Sequence, residues 1–260
     1  MLINRLTRCW LVMLLCGCSA IPTAIPVSVP PQDIETISEF FERCPTRAEI
    51  AQINVDLKIS VEYDPTDGAV VCNTSNGSEN LSALQKRIYQ TIYVIKLFKF
   101  SQPLPWTDMQ MYDWMTNTIN GIRFVQGGAS HCCDPENTIV IALESNSTLL
   151  TTDQWVMNDG IHGLINATLL YAHETRHNEG FHHSCATRNG DDNAIDEMGA
   201  WSIQYYLALW IAQYGDRAFL MPPSGSPNRY REASLQQAEL IRLTRFCKEV
   251  YDEPTITLAP

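Results

Sequence analysis

The chain has 260 residues, of which 45% are hydrophobic and 18% charged, and its formal net charge is −11. That mixture suits one sizeable domain with a buried core and excludes a disordered or fibrous chain. The acidic balance argues against nucleic acid as a partner, because binding a phosphate backbone needs a basic face.

The first residues, MLINRLTR, carry Arg5 and Arg8 and no acid, and the apolar run CWLVMLLCGC follows. A basic start before an apolar run too short to span a bilayer predicts an export signal rather than an anchor helix. Leu15-Cys16-Gly17-Cys18 resembles the bacterial lipobox. The resemblance implies a signal over residues 1–18 and a lipid on Cys18 that tethers the protein to a membrane surface, at the cell surface or in the periplasm. Cleavage after Ala20, giving a freely secreted protein, is the alternative. Pro22, Pro26, Pro30 and Pro31 make residues 19–32 a stiff, extended spacer. Residues 33–260 then form a single folded domain. Six cysteines lie beyond the leader: Cys44, Cys72, Cys132, Cys133, Cys185 and Cys247. An even number in an exported chain suggests disulfides. The adjacent Cys132 and Cys133 are expected to take different partners.

Along the domain, residues 33–43 read as a short helix leading into Cys44. The alternation from Val55 to Tyr63 predicts a half-buried strand, with DPTDG as a turn and AVVC as the returning strand of a hairpin. Leu84, Ile88, Ile92, Ile95 and Phe98 recur at helical spacing and predict a helix over 81–98. Pro103 and Pro105 break the chain, and Thr107 is placed to cap a helix running to about Ile119. GIRFVQ and NTIVIALE predict a strand pair flanking GGASHCCDPE. A helix over about 159–179 carries the apolar stripe Ile161, Leu164, Ile165, Thr168 and Ala172 and stops at Gly180. A second helix is expected from Asp191 or Asp192 through WSIQYYLALWIA, and a third over 232–250. The layout is α+β: a small sheet in the N-terminal half and helices in the C-terminal half.

Four of the six histidines fall in residues 173–183, HETRHNEGFHH. On a helix, positions i and i+4 share a face, so His173 and His177 can hold one ion between two imidazole nitrogens. Glu174 stands beside that ion, placed to take a proton from metal-bound water. A glycine at position 180 lets the chain turn sharply, and a later histidine can return to the same ion. His173-Glu174-x-x-His177-x-x-Gly180-x-x-His183 resembles the zincin metallopeptidases and, in its extended form, their metzincin branch. The match covers eleven residues. The resemblance implies a zincin-like catalytic domain with an active-site helix and one Zn2+ held by His173, His177 and His183. It also implies Glu174 as general base and a peptide or protein substrate.

Three features depart from the family pattern or leave it open. The methionine turn of metzincins has only Met221, and then Met198, as candidates. His182 stands beside His183, so it competes for the third-ligand position. In another zincin branch the third ligand comes from a second helix, where Asp192, Asp196 and Glu197 are available. Arg176, inside the motif, is a candidate buried cation that would need one of these acids, or Asp191, as its partner. His131, in SHCCD, is a candidate to line the site, although a lone loop histidine more often reads as structural or solvated, as His162 does. Two other functions compete with the peptidase: a non-catalytic metal-binding surface lipoprotein, and zinc-dependent hydrolysis of a non-peptide bond. No phosphate loop, dinucleotide fingerprint or nucleophile elbow is present in the sequence.

Overall fold

The computed structural model describes residues 43–62, 70–72, 80–143, 161–180, 198–215 and 229–246. The first helix, α1 (Arg47–Asp56), begins at a capping box. Thr46 Oγ1 accepts from Glu49 N at 3.2 Å, and Glu49 Oε2 accepts from Thr46 N at 2.7 Å. Ile50, Ile53 and Leu57 then bury at helical spacing. This corrects the expected strand from Val55. That residue is helical and 81% exposed, and strand β1 covers only Lys58–Val61. Alternation over a few residues was compatible with either period, and the cap upstream decides for helix.

The expected hairpin is also corrected. Strand β2 (Val70–Cys72) pairs antiparallel with β3 (Leu81–Ser82), not with β1. A disulfide from Cys72 to Cys44 draws β2 toward the entry to α1, with the two Cα atoms 5.7 Å apart. β1 instead runs parallel to β4 (Gly121–Gln126), with Lys58 opposite Gly121. A side chain at residue 121 would put its Cβ 2.7 Å from the Lys58 carbonyl oxygen, so only glycine allows this approach.

Helix α2 (Ala83–Leu97) starts from a second capping box, Ser82 with Gln85. Its expected stripe, Leu84, Ile88, Ile92 and Ile95, is buried, and so is Phe98 beyond its end. Helix α3 (Met111–Thr118) begins later than the sequence suggested. The Gln110 side chain accepts from Phe100 N at 2.8 Å and donates to Phe100 O at 3.3 Å, which holds residues 100–110 as a loop. Thr107 Oγ1 accepts from Met109 N within that loop and caps nothing.

Strands β5 (His131–Asp134) and β6 (Thr138–Leu143) complete a four-stranded sheet in the order β1-β4-β6-β5. β1, β4 and β6 are parallel, and β5 is an antiparallel edge strand. The expected pair GIRFVQ and NTIVIALE therefore forms in parallel, and the stretch between them supplies the edge. Cys132 and Cys133 stand side by side on the edge strand β5. Cys185 and Cys247 lie outside the described residues.

The described residues beyond the sheet form three helices: α4 (Ile161–Asn178), α5 (Ala200–Tyr214) and α6 (Arg229–Arg245). α4 lies on the sheet through the Tyr171 ring, edge-on to Phe124 of β4 at 6.3 Å. α5 docks on α4, where Gln204 Nε2 donates to Leu169 O at 3.0 Å. Within the described residues α5 starts only at Ala200, because Met198 has φ +52° and Gly199 is extended. The proposed start at Asp191 or Asp192 lies outside the described residues, as does the helix expected over most of 33–43. No described helix is long and apolar enough to cross a membrane.

The helical placement of Val55 makes a prediction. Val55→Ala should leave stability unchanged or raise it by a few tenths of a kcal/mol, since alanine is the better helix former at an exposed site. Thr46→Ala should cost about 1 kcal/mol by removing the cap. Urea unfolding checks both, and a loss above about 1 kcal/mol for Val55→Ala would restore the strand reading.

Candidate metal centre

The last two turns of α4 carry the histidine motif. The helix then ends abruptly. Glu179 N donates to Arg176 O and Gly180 N to His177 O, both at 3.0 Å, and Gly180 takes φ +89°. These tighter bonds and the left-handed glycine turn the chain away directly after the motif, as the sequence predicted.

His173 and His177 point to the same side. Their Nε2 atoms are 3.1 Å apart and their ring centroids 4.7 Å apart. Two nitrogens bound to one tetrahedral zinc at ~2.0–2.1 Å lie about 3.3 Å apart. A 3.1 Å separation fits one shared ion at an N–metal–N angle of roughly 100°. The pair therefore suits two ligands of a single zinc.

Glu174 is 4% exposed, and its Oε2 has no hydrogen-bond partner among the described residues. Leaving a buried acidic oxygen without a donor is costly, and a neighbouring cation or a bound water would relieve that cost. Burial pushes the Glu174 carboxyl up to about 7, and the charge of His131 pulls it partly back. A cation held at the histidine pair would act in the same direction as His131. The donor set and the buried carboxylate thus both fit a bound metal.

Several contacts hold this end of α4. Arg176 is buried. Its Nε donates to Met198 O at 2.8 Å, and its guanidinium pairs with Glu179 at 2.5 Å. Glu179 also accepts from Trp114 Nε1 of α3 at 3.0 Å. Among the described residues the acid paired with Arg176 is Glu179 of its own helix end, and the acids expected as its partner, Asp191 to Glu197, lie outside the described residues. Asn178 Nδ2 donates to Thr118 O at 2.7 Å, and its Oδ1 lies 3.0 Å from Cys133 Sγ on β5. Met198 takes part through its backbone carbonyl.

His131, half-exposed at the start of β5, sits nearer the site than the sequence suggested. Its Nδ1 is 3.0 Å from Ala129 O and its Nε2 3.4 Å from Asp134 Oδ1, while its charge reaches Glu174. Trp201, missed from the sequence, packs its ring 4.3 Å from that of His173. No spacing rule signals such a contact, because it joins two helices far apart in the chain.

His182, His183, Asp192, Asp196 and Glu197 lie outside the described residues, as does Met221. Among the described residues no group of three histidine, cysteine or acidic side chains is placed to hold a metal. His173 and His177 are the two ligand candidates brought together there.

The Glu174 carboxyl sets a pH prediction. Its folded value near 7 stands above an unfolded value of about 4.3, so folding favours the protonated form. The metal-free fold then loses stability as pH rises from about 4 to about 7, by on the order of 3 kcal/mol. Metal-free Glu174→Gln should melt with the wild type near pH 4 and clearly above it at pH 8. Equal melting of the two proteins at pH 8 would contradict a buried carboxylate.

No protein-family model, curated protein or solved structure matches this chain.

Proposed function

We propose that this chain is an exported zinc metallopeptidase on a zincin-like fold, held at a membrane surface through a lipid on Cys18. One observation carries the reading: two imidazoles stand 3.1 Å apart on a helical turn that also carries Glu174, whose buried Oε2 lacks a hydrogen-bond partner among the described residues. When bound, zinc acts as a Lewis acid and brings the pKa of its water to about 7. His173 and His177 would hold the ion through Nε2, with His183 as the third ligand that the motif implies. Glu174 takes the proton of the attacking water and delivers it to the leaving amine. Burial of Glu174 keeps that carboxylate poorly solvated and therefore basic enough for the task. A purely structural zinc site has no use for such a group.

Bound zinc and cleavage of a broad peptide library, measured on wild type and Glu174→Gln, test the reading. Zinc should stay at one ion per chain, while cleavage falls at least about a hundredfold. Wild type that binds zinc yet cleaves nothing, with any inhibitor or propeptide removed, contradicts it. The ligand set has its own test. His183→Ala should weaken zinc binding sharply and Glu197→Ala should not, and the reverse pattern would move the third ligand to the second helix.

A further inference from the structure

Trp201 is the second residue of α5, beyond the motif and outside any role given above. Its ring meets the His173 ring at 4.3 Å with 65° between the planes. On the Trp201 ring lies the Arg245 guanidinium of α6, 4.3 Å from the centroid. The start of α5 is itself fixed to the motif helix, because Arg176 Nε donates to Met198 O three residues before Trp201. His173 is 5% exposed, so its ring has little room to turn once these groups are in place.

We propose that Trp201 is a positioning residue for His173, holding its imidazole in the orientation that brings Nε2 within 3.1 Å of His177 Nε2. The proposal rests on the metal reading of that pair. The physical reasoning is steric and electrostatic. A histidine ligand must present one nitrogen along a narrow direction, and outer contacts that lock the ring raise metal affinity. Here the lock is an edge-to-face aromatic contact. The Arg245 cation over the indole holds the indole in turn. With Trp201 removed, His173 gains rotational freedom and loses it again on binding metal, so affinity falls.

The test is metal binding itself, with Zn2+ and with Co2+ as a visible probe, on Trp201→Met, Trp201→Phe and Arg245→Met in the full chain. Trp201→Met should weaken both metals by roughly tenfold or more. Trp201→Phe should restore most of the affinity, and Arg245→Met should show a smaller loss of the same kind. The metal-free melting temperature of Trp201→Phe and Arg245→Met should stay near that of wild type. Affinity unchanged in Trp201→Met overturns the proposal. So does an equal loss of affinity in Trp201→Met and Trp201→Phe that merely follows a loss of melting temperature. A second measurement needs no variant: nuclear Overhauser contacts between the Trp201 indole and the His173 ring should be present in metal-free wild type, and their absence overturns the proposal. Wild type that binds neither metal defeats the metal reading as a whole. Wild type that binds while Trp201→Met binds equally well defeats this inference alone.

Discussion

One helical turn brings His173 and His177 to the same side of α4, and their Nε2 atoms stand 3.1 Å apart. Two imidazole nitrogens this close share either a proton or a cation, and both arrangements demand that the rings be held. Much of the described structure near α4 serves that demand. The sheet supports the helix through Tyr171 on Phe124, and the edge strand β5 packs along it. α3 reaches its end through Trp114 and the Thr118 carbonyl. α5 and α6 approach from the other side through Trp201 and Arg245.

The same packing sets the electrostatics of Glu174. Dense walls around α4 bury Glu174 and keep its carboxyl far above the ordinary carboxylate range. Burying such a group without a donor lowers stability, and proteins tolerate that cost mainly where a functional group needs an altered pKa. Arg176 lies equally deep, but Glu179 and the Met198 carbonyl satisfy it. The contrast separates the two charged residues of the motif. Arg176 holds the helix end in place, whereas Glu174 Oε2 has no hydrogen-bond partner among the described residues.

The motif helix was legible in the sequence because its signals agree: an apolar stripe at period 3.6, a glycine at the end, and histidines four apart. α2 was legible for the same reason. The errors fell where two periods compete over a short run. From Val55 to Val61 the alternation suits a strand, but the Thr46–Glu49 capping box and the burial of Ile50, Ile53 and Leu57 commit the first part to a helix. The hairpin failed because partner choice is a tertiary matter, and the Cys44–Cys72 bridge ties β2 elsewhere. At the site, His173, Glu174 and His177 could be found because their relation is local. Trp201 and the reach of His131 could not, since both contacts are made across elements distant in sequence.

X-ray absorption at the zinc edge addresses the central claim most directly, on wild type loaded with one equivalent of zinc. A single ion bound by His173 and His177 predicts at least two imidazole nitrogens at about 2.0–2.1 Å. It also predicts that the imidazole count drops by one in His177→Ala. A shell without imidazole, or a count unchanged in that variant, would contradict the claim that this helical turn is a metal centre.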